Sequence, residues 1–152
     1  MIEMKKNLMK STILLIGFIS FSVFASSTGI LGTWETIDDR TGQKKAIVQL
    51  YEKDGKIEGK IQHVYWERGD KHFCVNCKGA LKNQPIEGLR FLWDMEQHSK
   101  HLWEGGYILD PHNGMLYRTK LKQQGQNIYV RAYLGIPMLG RTQQWHRHHE
   151  GS

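Results

Sequence analysis

Residues 103–147 read WEGGYILDPHNGMLYRTKLKQQGQNIYVRAYLGIPMLGRTQQWHR, and they give the strongest indication of the fold class. Short runs rich in β-branched and aromatic residues alternate with clusters of turn residues about every ten residues. This spacing is typical of a β-meander, in which consecutive strands pair antiparallel. Such a sheet needs further strands, because an exposed edge leaves backbone N–H and C=O groups unpaired.

The first part of the chain supplies the missing strands. Alternating apolar and polar residues predict eight strands in all, over residues 32–37, 45–51, 57–66, 89–96, 101–109, 115–121, 128–134 and 141–147. Asp54-Gly55, between the second and third strands, predicts a tight hairpin. The pair Gly105-Gly106 inside the fifth strand predicts a bulge or a sharp bend.

Antiparallel strands in this number form either a sandwich or an up-and-down barrel. Closing the barrel removes both sheet edges, and an eight-stranded barrel can hold one small ligand. The short turns between the last four strands favour sequential pairing, and no stretch of the mature chain shows helical periodicity. We therefore predict an all-β fold, an eight-stranded antiparallel up-and-down barrel.

Residues 1–25 are predicted to be a secretory signal. Three lysines precede an apolar segment, Ser11–Phe24, which is too short for a comfortable membrane span. Val23 and Ala25 are small residues at the positions expected before a cleavage site. The protein is therefore expected in the periplasm or outside the cell, and an uncleaved anchor helix is the alternative.

The mature chain is long enough for a single domain, which we place at residues 26–147, with a tail at 148–152. Without the signal it carries 18 basic and 14 acidic residues, a net charge of +4. The basic residues are spread singly along the chain, whereas a nucleic-acid-binding protein more often clusters them on one element. We therefore expect no nucleic-acid partner.

Cys74 and Cys77 are the only cysteines in the sequence. In an exported protein, two cysteines this close most often form a disulfide, and we predict one here. It would pin the long connection from Glu67 to Glu87, which breaks the strand pattern. The alternatives are a redox-active pair, a metal site completed by His63 or His72, and two free thiols.

The aromatic content indicates a binding cavity. Five Trp and six Tyr are many for so short a chain, and both side chains combine apolar area with a polar group. Inside a barrel they make a mostly apolar pocket with a few polar groups, although ordinary core packing is the alternative for any one of them. The candidate ligand-binding residues are Trp93, Tyr107, Tyr117, Tyr129, Arg131 and Tyr133.

The seventh strand offers two different interiors. With Ile128, Val130, Ala132 and Leu134 facing inward, the barrel has an apolar core. With the opposite face inward, Arg131 lies between two phenols and suits a carboxylate headgroup. The alternation by itself does not choose between the two faces.

Gly32-Thr33-Trp34, at the start of the first strand, resembles the Gly-x-Trp opening of lipocalins and related calycins. In that superfamily the tryptophan plugs one end of the barrel and packs against an arginine from the final strands. The resemblance implies that Arg141 or Arg147 takes this role. It makes Trp34, Arg141 and Trp145 the candidate barrel-closing residues.

Further motifs extend over nearly the whole mature chain. In order they are Gly32-Thr33-Trp34, Cys74-Val75-Asn76-Cys77, PIEGL at 85–89, WEGG at 103–106, ILDP at 108–111, YLGIP at 133–137 and GRTQQW at 140–145. Their combination resembles the secreted bacterial family called domain of unknown function 2147. The resemblance implies an exported, lipocalin-like β-barrel and no particular activity.

The sequence contains no catalytic pattern. It has neither a Ser–His–Asp arrangement nor a phosphate-binding glycine loop, and the histidines lack the spacing of a metal site. An enzyme would need titratable groups to converge in a pocket, such as His63 with Asp110 or Glu104. We expect no enzymatic activity and no cofactor.

The C-terminal tail is rich in histidine. His146, His148, His149 and Glu150 are metal-ligating residue types close together in sequence. A solvated tail is the simpler interpretation, and we predict no metal site.

The favoured function is therefore an exported, non-enzymatic protein that binds a small apolar or amphipathic molecule, such as a fatty acid, in its barrel. The Glu67–Glu87 and Gly135–Gly140 loops would gate the cavity, and Arg131 would be the polar anchor if it faces inward. The alternative is an envelope module with a filled barrel, whose loops bind a protein or glycan.

The apolar loop near the C-terminus suggests one more contact. Ile136, Met138 and Leu139 are bracketed by glycines, and we consider a peripheral membrane contact through them. Packing across one end of the barrel is the alternative.

Overall fold

Alternation of apolar and polar residues builds nine β-strands in the computed structural model, which describes residues 29–149. The predicted signal and residues 150–152 of the predicted tail lie outside the described residues. The strands are β1 Gly32–Ile37, β2 Lys44–Lys53, β3 Lys56–Val64, β4 Arg90–Ser99, β5 Leu102–Glu104, β6 Tyr107–Asp110, β7 Met115–Gln124, β8 Asn127–Tyr133 and β9 Arg141–Arg147. Short 3-10 turns occur at Gly79–Leu81 and Pro137–Leu139.

The strands form one closed antiparallel barrel. Strands β5 and β6 occupy a single position in it, because both lie between β4 and β7. The barrel therefore has eight strand positions, and β1 pairs with β9 to close it, with Trp34 opposite Arg147. The predicted eight-stranded barrel is confirmed.

The predicted bend in the fifth strand separates β5 from β6. Gly105 adopts a φ of +88°, a conformation that L side chains rarely adopt. A Cβ on Gly106 would lie 2.3 Å from the carbonyl oxygen of Trp93, so only glycine allows β4 to approach this closely. The glycine pair thus interrupts the strand while the barrel remains closed.

The two ends of the barrel differ in their connections. One end, called the closed end, carries tight turns, including the β2–β3 hairpin at Asp54-Gly55, where φ is 52° and 75°. The other end, called the open end, carries the longer connections. These are the β1–β2 turn (38–43), the disulfide loop (65–89), the β6–β7 turn (111–114) and the apolar loop (134–140).

Side chains fill the half of the barrel next to the closed end. Leu50, Met95, Leu121 and Ile128 are fully buried there, as is Trp34. Burial of this apolar area is the main favourable contribution to folding. Within residues 29–149, no helix has the length and apolar character of a membrane span.

Candidate functional site

The closed end is sealed by Trp34 and Arg147. The Trp34 side chain is completely buried, and its indole N–H donates to the Ile30 carbonyl at 2.9 Å. The Arg147 guanidinium carbon lies 3.9 Å from the centroid of the Trp34 ring. That guanidinium also donates to the carbonyls of Leu31, at 2.7 Å, and of Gly29. A cation–π contact and charge-assisted hydrogen bonds thus compensate the Arg147 guanidinium for the water that it loses on burial.

Gly32 makes this arrangement possible. Its φ is 117°, and a Cβ at that position would lie 2.8 Å from Nη1 of Arg147. Burial lowers the pKa of Arg147 from its usual range, so the cation is stacked in a partly desolvated site. The Gly-x-Trp motif therefore requires glycine to leave room for the Arg147 guanidinium, and it requires tryptophan to seal this end of the barrel.

Arg147, rather than Arg141, is the arginine that packs against Trp34. Arg141 lies at the other end of β9, where it forms an exposed ion pair with Asp39 of the β1–β2 turn. The antiparallel pairing of β1 with β9 sets this, since it places Trp34 opposite Arg147. The assignment of Arg141 to barrel closure is corrected accordingly.

A cavity of about 770 Å³ occupies the half of the barrel next to the open end. Its volume lies within the roughly 300–1,000 Å³ of small-molecule sites. Apolar side chains from strands around the barrel form its wall. They include Val48, Ile61, Phe91, Ile108, Val130 and Ala132.

Trp145 and Phe91 form the floor of the cavity. Their ring centroids are 5.9 Å apart, and the Trp145 side chain is almost completely buried. Thr36 and Gln143 also line the cavity, and the Gln143 side-chain oxygen accepts the Trp145 indole N–H at 3.5 Å. The interior is therefore apolar with a few polar groups on one side. Trp145 separates the hollow half of the barrel from the filled half.

The structure answers which face of β8 points inward. Ile128 and Val130 are buried, and Val130, Ala132 and Leu134 line the cavity. The apolar alternative is therefore correct for Ile128, Val130 and Ala132, and Arg131 belongs to the outer face. At the end of the strand, Tyr133 is also buried and lines the cavity, whereas Leu134 is half-exposed at the mouth. A one-residue shift in pairing would exchange the two faces, so this register decides the character of the interior.

Two of the six predicted ligand-binding residues line the cavity, namely Tyr117 and Tyr133. The Tyr117 hydroxyl accepts a hydrogen bond from the Asn113 amide at 3.1 Å, and hydrogen bonding to Tyr133 contributes to raising the pKa of Arg118, after the larger effect of Tyr107. Both phenols are thus near the open end of the barrel, at the level of the β6–β7 turn and the apolar loop.

The other four predicted residues do not line the cavity. Trp93 lies beneath the Arg90 guanidinium, 5.4 Å from it, and Tyr107 contacts Arg118 in the same way at 5.1 Å. Tyr129 lies opposite Lys122 and Gln144 in the sheet. These side chains fall on the outward positions of their strands, because the inward positions hold the apolar residues. The rings of Trp93, Tyr107 and Tyr129, which suggested a pocket, lie outside the cavity, and Trp93 is partly buried against the core.

Arg131 holds the apolar loop in place from the outer face. Its Nε donates to the Pro137 carbonyl at 2.9 Å and its Nη2 to the Met138 carbonyl at 3.1 Å. Its Nη1 donates to the Thr142 hydroxyl at 2.9 Å. The prediction that Arg131 anchors a ligand inside the barrel is therefore corrected, because the side chain fastens a loop instead.

The disulfide loop covers one side of the open end. Cys74 and Cys77 form the predicted disulfide, and both are buried. Ile86, in the same loop, is buried and lines the cavity. A disulfide fits an extracytoplasmic location, where such bonds form and persist.

The β6–β7 turn holds the disulfide loop down. The Asn76 amide donates to the His112 carbonyl at 2.8 Å. Gly114 has a φ of +70°, and a Cβ on it would lie 2.0 Å from the Asn76 carbonyl oxygen. Close backbone contact between the two segments therefore requires glycine at this position.

Charged side chains surround the mouth of the cavity. Those that line it are Asp38, Arg40, Lys45, Asp70, Asp110 and Arg141. Several are paired across neighbouring segments, such as Lys45 with Glu67 of the disulfide loop. The hydrogen bond to Glu67 raises the pKa of Lys45, and the hydrogen bond to Asp39 raises the pKa of Arg141. Both side chains therefore stay cationic at the mouth.

The titratable groups that an enzymatic activity would need do not converge in the cavity. His63 pairs with Glu87, whose carboxylate oxygen lies 3.1 Å from its Nδ1. Glu104 pairs with Lys120 at 2.8 Å, whereas Asp110 lines the mouth. Across residues 29–149, no group of three or more His, Cys, Asp or Glu side chains is arranged to hold a metal ion.

The comparisons with known proteins agree with this architecture. The family model described as "Uncharacterized protein conserved in bacteria (DUF2147)" matches residues 32–147. The chain belongs to this family. A solved structure entitled "Protein HP1028 from the human pathogen Helicobacter pylori belongs to the lipocalin family" matches with a TM-score of 0.70 and 20% sequence identity. The match covers 81% of this chain and 85% of that chain, and it establishes a lipocalin-like fold.

A comparison with curated proteins finds no match. The DUF2147 motifs of this chain instead acquire their meaning from the structure. Gly32 and Trp34 seal the closed end, whereas Cys74, Cys77 and Gly140 belong to the loops of the open end. Sequence reasoning missed the cavity-lining residues Thr36, Val48, Ile61, Phe91 and Gln143. Only the alternation of their strands could have indicated them.

Proposed function

We propose that this protein is an exported carrier that binds one small amphipathic molecule with an apolar chain, such as a fatty acid. The cavity of about 770 Å³ is the observation that carries the proposal. A barrel that served only as a scaffold would gain stability by filling this space, because empty apolar volume forfeits dispersion contacts. Here the filled half and the hollow half belong to the same barrel.

The distribution of polar groups supports an amphipathic ligand. The apolar chain would lie along Val48, Val130 and Ala132 and end against the floor formed by Phe91 and Trp145. The charged mouth would leave the polar end of the ligand in contact with water and ions. An apolar chain buried in this way contributes about 0.8 kcal/mol per CH₂ group, which is enough for useful affinity.

Binding without chemical conversion is part of the proposal. His63 and Glu104 have their own partners outside the cavity, and the wall of the cavity is apolar. An alternative role, as an envelope module with a filled barrel, fits the hollow interior less well. The exposed apolar loop at the mouth favours an additional contact with a partner surface.

A cavity-filling variant tests the proposal directly. Titration with cis-parinaric acid, a fluorescent fatty acid, should give saturable binding to the wild-type protein. Ala132→Trp should abolish this binding, because the indole would fill the part of the cavity next to Val130. Gln144→Trp adds the same ring on β9 at a position outside the cavity lining and should bind like the wild type.

The Ala132→Trp variant also helps to identify the natural ligand. Protein purified from its own host would be extracted with organic solvent and analysed by mass spectrometry, alongside Ala132→Trp. A molecule present in the wild type and absent from the variant identifies the ligand. The proposal fails if neither titration nor extraction detects a molecule that depends on the cavity.

A further inference from the structure

The mouth of the cavity carries a cluster of exposed apolar side chains, which we call the apolar rim. Met138 is 84% exposed and Leu139 is 79% exposed, although both are large apolar residues in a folded domain. The register that places Arg118 opposite Tyr133 brings the start of β7 alongside the same loop. The rim comprises Met115, Leu116, Leu134, Ile136, Met138 and Leu139.

The rim is held in shape by the fold. Arg131 donates to the carbonyls of Pro137 and Met138 and to the hydroxyl of Thr142. The Gly140 backbone N–H donates to the Pro137 carbonyl at 3.2 Å and completes a 3-10 turn. The backbone is thus fixed while the side chains point into solvent. A binding surface ordered in advance loses less conformational entropy when a partner covers it.

Charge is distributed unevenly over the wall of the barrel. Residues 111–149, which form β7, β8 and β9, contain no Asp or Glu. The same segment carries six basic residues. Arg118, Arg131 and Arg141 lie toward the open end, whereas Arg147 lies at the closed end and Lys120 pairs with Glu104. Residues 29–110 carry 12 basic and 13 acidic residues. The net positive charge of the described chain therefore lies on the wall formed by β7, β8 and β9, which also bears the apolar loop and which we call the basic wall.

We propose that the apolar rim docks on an anionic lipid surface. Ile136, Met138 and Leu139 would enter the interface between headgroups and acyl chains, and the basic wall would face anionic headgroups. Two consecutive side chains exposed to this degree protrude from the surface. A fluid lipid interface accepts protruding side chains directly, whereas a protein partner must offer a matching groove.

Docking would place the cavity against the source of an apolar ligand. Leu134 and Leu139 belong to the rim and also line the cavity, so one apolar surface runs from the loop into the barrel. This link to ligand exchange rests on the proposed function. The docking itself requires only the rim and the basic wall.

Vesicle co-sedimentation of the mature protein tests the docking. Phosphatidylcholine vesicles with phosphatidylglycerol should bind the wild type, and vesicles of phosphatidylcholine alone should bind it more weakly. Ile136→Ser/Met138→Ser should weaken binding to the anionic vesicles about tenfold or more, because each buried CH₂ group contributes to membrane affinity. Added salt should weaken it further by screening the basic wall.

The controls separate docking from ligand binding and from folding. Leu31→Ser changes an exposed apolar side chain near the closed end and should leave vesicle binding unchanged. Neither Ile136 nor Met138 lines the cavity, so the double variant should bind cis-parinaric acid in solution like the wild type. Circular dichroism checks that each variant is folded.

Three outcomes would overturn the docking proposal. These are no binding to anionic vesicles, binding unaffected by the double variant, and a wild type that self-associates through Ile136 and Met138 instead of binding vesicles. Loss of cis-parinaric acid binding by Ala132→Trp with intact vesicle binding supports both proposals. Vesicle binding without any fatty-acid binding to the wild type would leave docking standing and reject the carrier function.

Discussion

Strand β9 places an arginine at each end of the barrel, and the two are held in opposite ways. Arg147, at the closed end, stacks on a fully buried Trp34 and donates to backbone carbonyls. Arg141, at the open end, forms an exposed ion pair with Asp39. The first arrangement is built into the packing. The second can open or exchange partners at small cost, because exposed ion pairs contribute only about 0–1 kcal/mol.

The interior shows the same contrast. Near the closed end, Leu50, Met95 and Leu121 fill the barrel, whereas the open half is a cavity walled by Val48, Val130 and Ala132. Stability is therefore concentrated at one end, which leaves the other free to hold a ligand. This division predicts that substitutions at the closed end affect unfolding and that substitutions at the open end affect binding.

The largest effect is expected at Trp34. Trp34→Ala should lower the free energy of unfolding by about 3–5 kcal/mol, since it leaves a void in a filled core and removes the ring under Arg147. Val130→Ala, in the wall of the cavity, should cost much less because the space beside it is already empty. Urea unfolding followed by tryptophan fluorescence measures both. Equal losses for the two variants would refute the division into a stable and a hollow end.

The two arginines of β9 provide the next comparison. Arg147→Ala should lower the free energy of unfolding by about 2–4 kcal/mol, because a desolvated cation–π contact and charge-assisted hydrogen bonds are lost. Arg141→Ala should lower it by less than about 1 kcal/mol, as expected for an exposed ion pair. The shift of the urea midpoint at constant m-value gives both numbers. A larger loss for Arg141→Ala than for Arg147→Ala would show that the arginine that stabilises the fold lies at the open end, contrary to this prediction.

The disulfide is expected to have an intermediate and local effect. Cys74→Ala/Cys77→Ala should lower the free energy of unfolding by about 2 kcal/mol or less, because the closed loop is very short. Hydrogen exchange should accelerate in the disulfide loop and remain slow in β1 and β9 at the closed end. Reduced wild-type protein is the matched control and should behave alike. A loss as large as that of Trp34→Ala would mean that the disulfide supports the whole barrel.

The fold was largely predictable because its signals are local. Alternation along each strand, Asp54-Gly55 and Gly105-Gly106 act within a few residues, and each appears in the structure where it was predicted. The cysteines also lie close enough for their pairing to be inferred from spacing and compartment. Local signals of this kind predict strands, turns and their order around the barrel.

The candidate site was less predictable because it depends on register. Alternation separates the two faces of β8 without saying which one is inside, and aromatic residues on the outer face resembled a pocket lining. The partner of Trp34 depends on how β1 pairs with β9, at opposite ends of the domain sequence. Both Arg141 and Arg147 satisfy the pattern, and only the long-range pairing separates them.

The smallest effect is expected at Glu35, on the wall between the two ends. Burial raises the pKa of Glu35, but hydrogen bonds from Tyr65 at 2.8 Å and Lys44 at 3.1 Å outweigh it, so the pKa is lowered from 4.5. A carboxylate with a lowered pKa stabilises the fold above its ordinary pKa and loses this contribution as the pH falls through the folded value.

Glu35→Gln should therefore be less stable than the wild type by about 1 kcal/mol at neutral pH, the usual contribution of such hydrogen bonds. The difference between the two proteins should shrink as the pH falls below 4.5 and the wild-type carboxylate is protonated. Urea midpoints measured across that range test this, and Tyr65→Phe, which removes one donor, should show a weaker pH dependence than the wild type. If the gap between wild type and Glu35→Gln stayed constant or widened in acid, the hydrogen-bonded carboxylate would have no stabilising role on this wall.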